Sequence, residues 1–218
     1  MNNSFTDILS RGASCYGISL DDNTIKSFAA YTDVLKSWNS RMNLVSDRDM
    51  DRFVEYHLLD SLKVAACIDF SGISKLLDFG TGAGLPGIPL ALAFSHLNVT
   101  LVDSRLKRCD FLEAVLKEIP TVNACVIRSR VENLPETYNK TFDMVSTRAT
   151  VKLNDYFRLS SRFISHGGTL VAIKGDTIED ELNELFNYVD TRFFNISSTV
   201  PKAFNNVRQG NVVIITHI

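Results

Sequence analysis

From Lys75 onward, the sequence alternates short apolar runs with amphipathic stretches, and no other feature limits the fold as strongly. The runs typical of buried strands are KLLDF, NVTLVD, VNACVIR, FDMVST and GTLVAIKG, and helical patterns cover residues 86–94, 105–118, 152–164 and 177–187. Apolar strands separated by helices predict a doubly wound α/β fold with a mostly parallel, seven-stranded sheet. Because no helical pattern separates the last two runs, TRFFNISS and NVVIITHI, one of them is expected to run antiparallel.

The N-terminal part of the chain has a different pattern, which predicts helices only. Apolar side chains recur every three or four residues over residues 25–38 and again over residues 53–65. We therefore predict an N-terminal helical extension over residues 1–72 and an α/β core domain over residues 73–218. Within the extension, His57 lies on an apolar helix face and is expected to be a hydrogen-bonded core histidine.

The composition excludes several classes of protein. Lys and Arg total 23 and Asp and Glu total 25, so the net charge is −2 and a nucleic-acid ligand has to meet a local basic face. The four cysteines are widely spaced, which predicts neither a disulfide framework nor a metal site. No apolar run approaches the ~18 residues of a membrane span, and the N-terminus lacks the pattern of a secretion signal. We therefore predict a cytoplasmic protein without a membrane partner.

The segment DFGTGAGLPG, which ends the first predicted strand and follows it, is typical of a nucleotide-type ligand site. Gly80, Gly82 and Gly84 let the backbone turn and approach a ligand without a Cβ atom in the way. The spacing also matches a dinucleotide fingerprint, so the glycines alone leave the ligand open. Asp78 would repel a pyrophosphate by about 1 kcal/mol or more, and Pro86 removes an N–H group that a phosphate would use. Both features favour S-adenosylmethionine, whose positively charged sulfonium and ammonium groups suit a carboxylate. Transfer of its methyl group would leave S-adenosylhomocysteine as the product.

Two later segments favour an adenosine-containing ligand. Asp103 ends the second predicted strand, and a carboxylate at that position can accept hydrogen bonds from both ribose hydroxyls. Val131 and Glu132 follow the third predicted strand, where their backbone and carboxylate groups can meet the adenine edge. Each acidic residue also has a structural interpretation, since Asp103 can cap the next helix and Glu132 can be a solvent-exposed loop acid.

Several segments of the chain resemble one bacterial enzyme family. They are RMNLVSDRD, HLLDSL, LLDFGTGAGLPGIPLA, LVDSRLKRCDFL, SRVENLP, FDMVSTRA and LVAIKG, in the family's order over about residues 35–175. On these segments the chain is similar to the RsmG (GidB) family, the 16S ribosomal RNA guanine-N7 methyltransferases. The glycine segment with its LPGIP tail and the STRA segment are specific. The end of the chain departs from the family, because Arg208 is followed by Gln209, Gly210 and Asn211 before the last predicted strand.

The resemblance implies a Rossmann-like class I S-adenosylmethionine-dependent methyltransferase that acts on N7 of a guanine in the 530 loop of 16S ribosomal RNA. It implies 16S ribosomal RNA or the small ribosomal subunit as the partner, and a cytoplasmic monomer as the working form. Carried over by position, it implies contacts with the methyl donor at Gly80, Leu85, Val131, Glu132 and Arg148.

The ends of the fourth and fifth predicted strands bear on which atom is methylated. The fourth strand ends in Ser146, Thr147 and Arg148, without the Asn/Asp-Pro-Pro-Tyr/Phe turn common in enzymes that methylate exocyclic amino groups, and no cysteine lies near it. Guanine N7 has a free lone pair and loses no proton, so a site without an evident base fits that target. We predict catalytic-site contacts by Arg148 with guanine O6, a phosphate or the donor's carboxylate, and by Lys174 with backbone phosphate. Either cation can instead form a structural salt bridge.

Two alternative functions stay open at this point. A nicotinamide-dependent oxidoreductase would use the dinucleotide fingerprint, although Asp78 and the lack of a Tyr-x-x-x-Lys pair disfavour it. A non-catalytic RNA-binding or assembly factor could have kept a methyltransferase fold, and the acidic N-terminal third mildly supports that function. A thermal-shift comparison of S-adenosylmethionine with a nicotinamide cofactor tests the first alternative. Donor binding without turnover would indicate the second.

Overall fold

The core of the fold is one sheet. The computed structural model describes residues 3–120, 122–148, 151–202, 204, 207 and 210–218. Among these residues, seven strands pair with one another: β1 (Lys75–Phe79), β2 (Asn98–Asp103), β3 (Ala124–Arg128), β4 (Phe142–Arg148), β5 (Ile164–Ile173), β6 (Phe194–Thr199) and β7 (Val212–His217). Arg208, at which the sequence departs from the family that it resembles, lies outside the described residues.

The strand order is β3-β2-β1-β4-β5-β7-β6, which places a switch point between β1 and β4. Strands β1 to β5 are parallel, and Phe79 of β1 pairs with Val102 of β2. β7 runs antiparallel between β5 and β6, so the prediction of one antiparallel strand at the end of the chain is confirmed. The doubly wound α/β class is confirmed as well. In such sheets, ligands bind in the crevice at the carboxyl ends of the strands beside the switch point.

Helices cover both faces of the sheet. The α-helices are α1 (Asn3–Cys15), α2 (Asp22–Asn39), α3 (Asp47–Met50), α4 (Leu59–Leu62), α5 (Gly87–Ala93), α6 (Leu106–Glu118), α7 (Leu153–Ser160) and α8 (Glu179–Tyr188). The shorter elements are a π-helical turn at Val54–Leu58 and 3₁₀ turns at Lys63–Ala66, Phe70–Gly72, Val131–Asn133, Glu136–Tyr138 and Ser161–Phe163. The N-terminal helices pack with α5 and α6 on one face, and α7 and α8 cover the other. No helix in the described part of the chain combines the length and the apolar character that crossing a membrane requires.

The N-terminal extension is helical, as the sequence predicts, and shares one hydrophobic cluster with the sheet. Phe28 of α2 and Phe111 of α6 are both fully buried in that cluster. α1 is an additional helix that the apolar pattern of the sequence does not single out. It packs closely because Gly12 has no side chain: a Cβ atom there would lie 2.3 Å from Leu59 Cδ1. The boundary between the extension and the core after residue 72 stays a prediction.

One helix is shorter than the sequence predicts. The pattern over residues 152–164 predicts a continuous helix, but α7 ends at Ser160 and β5 begins at Ile164. Ile164 pairs with Phe142 of β4, and both side chains are buried. Burial against the neighbouring strand therefore outweighs the helical pattern at this position.

Gly87, the first residue of α5, lies where this helix meets the sheet. A Cβ atom at Gly87 would lie 2.5 Å from Leu101 Cδ2 and 2.8 Å from Asp78 Oδ2. We expect Gly87→Ala to lower the free energy of unfolding by about 1–3 kcal/mol, because a methyl group forced into a packed interior displaces its neighbours. Chemical denaturation measures this change. Gly72→Ala is the control, since a Cβ at Gly72 meets nothing within 4 Å, and equal stability of the two variants would contradict the packing at Gly87.

Candidate functional site

The connection from β1 to α5, residues 80–86, is named the glycine loop. Gly80 and Gly82 have φ angles of 65° and 58°, a left-handed backbone conformation that favours glycine. Gly80 N donates a hydrogen bond to Val102 O at 2.8 Å, and Gly82 N donates one to Asp103 Oδ2 at 3.1 Å. The loop is thereby fixed against the carboxyl end of β2.

Asp78 of β1 holds the glycine loop from within the protein. Its side chain is fully buried, and its carboxylate accepts hydrogen bonds from Thr81 Oγ1 (2.6 Å), Gly87 N (3.0 Å) and Ser146 Oγ (2.9 Å). Burial raises the pKa of this carboxyl to about 6, although the three hydrogen bonds and the charge of Arg148 lower it. The expectation that Asp78 faces the positive groups of a ligand is corrected, because its oxygens point into the protein and bind loop, helix and strand.

A cleft of about 290 Å³ opens at the carboxyl ends of β1, β2 and β3. It brings together four residues that the sequence predicts as ligand contacts: Gly80, Asp103, Val131 and Glu132. The other lining residues are Phe79, Val102, Ser104, Arg105, Arg108, Ser129, Arg130, Val151 and Leu159. This is the edge of the sheet at which a doubly wound fold binds its ligand.

The Asp103 carboxylate is almost completely buried and has three partners within the protein. Its Oδ1 accepts a hydrogen bond from Arg105 N (2.9 Å), and its Oδ2 accepts from Gly82 N (3.1 Å) and from Arg108 Nη1 (3.1 Å). The bond to Arg105 N lies at the start of α6. The N-cap residue of this helix is Arg105 and not Asp103. A carboxylate has about four acceptor positions, so one remains for a ligand hydroxyl, and a movement of Arg108 would open a second.

Val131 and Glu132 belong to the 3₁₀ turn after β3. Val131 is buried and Glu132 is exposed, and both line the cleft. Arg162 fixes this turn, because its Nη2 donates to Glu132 O at 3.3 Å and to Leu134 O at 2.9 Å. Sequence reasoning missed Arg162. The partners of its Nη2 are backbone carbonyls 28 to 31 residues away in the sequence, and no motif marks such a contact.

Gly84 and Leu85 shape the glycine loop without lining the cleft. The φ angle of Gly84 is 87°, and a Cβ atom there would lie 2.3 Å from Ile88 Cδ1. Leu85 is buried and joins Pro86 through a cis peptide bond. The structure therefore does not bring these two predicted contact residues to the cleft, because they face α5 and the core.

The N-terminal extension contacts the glycine loop directly. The hydroxyl of the fully buried Tyr31 in α2 donates a hydrogen bond to Ala83 O at 2.6 Å. Burial raises the pKa of Tyr31 far above its ordinary value, so the phenol remains a donor. Sequence reasoning missed this contact as well, and the only signal for it is a tyrosine on the apolar face of a helix.

Arg148, the last residue of β4, is held by the extension. Its Nη1 donates to Tyr56 O (3.4 Å) and pairs with Asp60 Oδ2 (3.3 Å), and its Nη2 contacts His57 Nδ1. His57 is buried, which confirms the expectation of a hydrogen-bonded core histidine. The sequence places Arg148 at this end of β4 correctly but does not reveal the partners that orient it.

Lys174 follows β5 and is paired within the protein. Its Nζ donates to Val151 O (2.8 Å) and lies 2.8 Å from Glu181 Oε2 of α8. Glu181 also accepts a hydrogen bond from Leu153 N (2.9 Å), so this carboxylate links both the end of β5 and the start of α7 to α8. This arrangement favours a structural role of Lys174 over the predicted contact with phosphate, because its ammonium already has an anionic partner.

Several cations surround the opening of the cleft. Arg105 and Arg130 line it and are exposed, and Arg128, which ends β3, is exposed nearby. The protein therefore has a local basic face at this edge of the sheet although its net charge is −2.

Comparisons with known proteins agree with this geometry. The family model of GidB, described as rRNA small subunit methyltransferase G, matches residues 24–209. The chain is 38% identical over 181 residues to the ribosomal RNA small subunit methyltransferase G of Acetivibrio thermocellus. This alignment covers 81% of this chain and 73% of that protein. It is 33% identical over 187 residues to the protein of the same name from Clostridium beijerinckii, in an alignment that covers 85% of this chain and 78% of that protein.

Solved structures share the fold at low sequence identity. An O-methyltransferase from Bacillus cereus in complex with SAH has a TM-score of 0.61 at 14% identity, over 87% of this chain and 91% of that one. An rRNA methylase from Streptococcus thermophilus has a TM-score of 0.51 at 19% identity, over 67% of this chain and 87% of that one. These structures support the Rossmann-like fold, and the family match favours methyl transfer over the alternative of a nicotinamide-dependent oxidoreductase. The chain belongs to the GidB family of ribosomal RNA small subunit methyltransferases G.

Proposed function

We propose that this chain transfers the methyl group of S-adenosylmethionine to N7 of a guanine in the 530 loop of 16S ribosomal RNA, with S-adenosylhomocysteine as the product. One observation carries the proposal. The cleft of a doubly wound sheet contains a buried carboxylate, Asp103, that is hydrogen-bonded to a glycine turn, in a chain that belongs to a family of rRNA methyltransferases.

The residues of the cleft fit the adenosine part of the donor. Asp103 can accept hydrogen bonds from the ribose hydroxyls, and Gly80 lets the backbone approach the ligand closely. Val131 offers an apolar surface to the adenine ring, and the exposed Glu132 can accept a hydrogen bond from the adenine amino group. When bound, the donor supplies a methyl group on a positively charged sulfur atom.

The end of β4 supports N7 as the methylated atom. Ser146 Oγ donates to Asp78, and Thr147 Oγ1 donates to Phe79 O at 3.2 Å, so both hydroxyls serve as donors within the protein. Arg148 is a permanent cation. None of these three side chains acts as a base at neutral pH, so an atom that has to lose a proton would find no acceptor among them. Guanine N7 needs only to be held in line with the methyl group.

The charge distribution supports RNA as the partner at the same edge of the sheet. The exposed Arg105, Arg128 and Arg130 can neutralise phosphates, whereas the carboxylates of Asp78 and Asp103 are buried. Binding through such contacts weakens as the salt concentration rises. We propose 16S ribosomal RNA, free or in the small ribosomal subunit, as the substrate, and a cytoplasmic monomer as the active form.

The direct test is methylation of RNA from a strain that lacks the enzyme. The purified protein is incubated with donor labelled in its methyl group and either naked 16S ribosomal RNA or small ribosomal subunits. We expect label on N7 of one guanine, because the site orients a lone pair and supplies no base. Mass spectrometry of the digested RNA identifies the methylated atom.

A matched RNA fragment separates N7 from other atoms of the guanine. In this control, 7-deazaguanine, which has carbon in place of N7, replaces the target base. Label on the deaza fragment, or label on another atom, would contradict the proposal. Donor binding without any label on RNA or subunits would favour the non-catalytic assembly factor instead.

A substitution at Asp103 tests the donor site. We expect Asp103→Asn to weaken donor binding by about 1–3 kcal/mol, because an amide accepts weaker hydrogen bonds from the ribose than a carboxylate does. Isothermal titration calorimetry measures the affinity. The control is Asp143→Asn, since the Asp143 carboxylate accepts hydrogen bonds from Ser74 N and Lys75 N (both 2.9 Å) at the start of β1, away from the cleft. Equal donor affinities of the two variants would show that Asp103 does not contact the donor.

A further inference from the structure

We propose that Asp60 is a positioning residue, which orients Arg148 toward the carboxylate of the amino-acid part of the donor, and that Lys63 gives Asp60, Lys63 and Arg148 together a net positive charge. The inference rests on the proposed function, because it concerns how the donor is held. Its basis is a buried carboxylate between two cations, named the Asp60 triad (Asp60, Lys63 and Arg148).

The Asp60 triad lies between the N-terminal extension and the sheet. Asp60 Oδ1 is 2.7 Å from Lys63 Nζ, and Asp60 Oδ2 is 3.3 Å from Arg148 Nη1. The side chains of Asp60 and Lys63 are each 3% exposed, and that of Arg148 is 15% exposed. Arg148 is therefore the member of the triad that a ligand at the carboxyl end of β4 can reach.

The π-helical turn Val54–Leu58 supplies further contacts that orient the guanidinium. Tyr56 O accepts a hydrogen bond from Arg148 Nη1 at 3.4 Å, and His57 Nδ1 contacts Nη2. Because a guanidinium is planar and donates in a fixed fork geometry, partners on both terminal nitrogens set the plane of the group. π-Helical turns are rare and are frequent at functional sites, which agrees with this role.

The charges of the Asp60 triad explain why one carboxylate is paired with two cations. Asp60 and Arg148 alone would form a neutral pair, which has little attraction for an anion. With Lys63, two positive charges and one negative charge leave the triad itself with a net charge of +1, while the buried Asp78 carboxylate is a further anion that interacts with Arg148. An excess positive charge in a largely buried set favours an anionic ligand group, because burial weakens its screening by solvent. The carboxylate of the donor is the anion that the proposed function brings to this end of β4.

Two variants separate the charge of the Asp60 triad from its geometry. Lys63→Met lowers the net charge to 0 and keeps the carboxylate on Arg148. Lys63→Met combined with Asp60→Asn restores the net charge of +1 but removes the carboxylate that orients Arg148. If charge alone mattered, the double variant would bind the donor as the wild type does. If Asp60 positions Arg148, the double variant binds more weakly than the wild type.

The probes are S-adenosylhomocysteine and 5′-methylthioadenosine, with affinities measured by calorimetry. Both contain the adenosine that the cleft would hold, but only S-adenosylhomocysteine carries an amino-acid carboxylate. We expect the double variant to bind S-adenosylhomocysteine about tenfold more weakly or worse, since a charge-assisted contact is lost, and to bind 5′-methylthioadenosine with wild-type affinity. Arg148→Met should show the same selectivity, and adding Asp60→Asn and Lys63→Met to it should cause no further loss.

Other binding results would contradict either the positioning role of Asp60 or the proposed function. Wild-type affinity of the double variant for S-adenosylhomocysteine, or an equal loss for both probes, would overturn the positioning role of Asp60. A loss confined to the KM for RNA would overturn it too, because the triad would then act on phosphate. Failure of the wild type to bind either probe would overturn the proposed function, and the inference with it.

A single substitution, Asp60→Glu, tests the same proposal if the double variant does not fold. Asp60→Glu keeps the negative charge between the two cations but moves the carboxylate by one methylene group. We expect this variant to bind S-adenosylhomocysteine more weakly and 5′-methylthioadenosine unchanged, because the guanidinium plane shifts while the cleft is intact. Unchanged affinity for both probes would show that the position of the carboxylate does not matter, and would overturn the inference.

Discussion

The site depends on one buried carboxylate, that of Asp78. It binds three parts of the fold at once: Thr81 in the glycine loop, Gly87 at the start of α5 and Ser146 near the end of β4. A carboxylate out of contact with water needs such donors, because an unpaired buried charge is costly. Its pKa of about 6 shows that burial is only partly compensated. The shape of the glycine loop, and with it the place of the cleft, is thus fixed by a group that does not line the cleft.

The N-terminal extension is part of the site because it contacts both sides of the switch point. On the side of β1, Tyr31 donates to Ala83 O of the glycine loop. On the side of β4, His57 and Asp60 hold Arg148. The crevice between β1 and β4 is therefore braced by one segment of chain, and a displacement of the extension would move the loop and the arginine together. A helical extension that has no residue among those lining the cleft is therefore expected to affect donor binding.

The sequence predicted the sheet and the backbone of the site well, because both depend on local patterns. Strands that are apolar on both faces, and glycines that need left-handed φ angles, leave a signal in adjacent residues. The partners of the charged side chains left no such signal. Asp78 bonds Ser146, 68 residues away, and Arg148 bonds Asp60, 88 residues away. Such pairs follow from packing in three dimensions, so the sequence places Arg148 at the correct strand end without its partners, and for Lys174 it leaves both a phosphate contact and a structural salt bridge open without indicating Glu181.

The arrangement of charges explains how a protein with a net charge of −2 can serve both a cationic donor and a polyanionic RNA. Asp103 lies within the cleft and is almost completely buried, whereas Arg105, Arg128 and Arg130 are exposed around it. Water and salt screen the exposed arginines strongly and the buried carboxylate weakly. The two sets of charges therefore lie at different depths, so that RNA contacts of the arginines are expected to depend on salt and donor contacts of Asp103 much less. Net charge averages over both depths, which is why composition alone says little about the binding of RNA at this edge of the sheet.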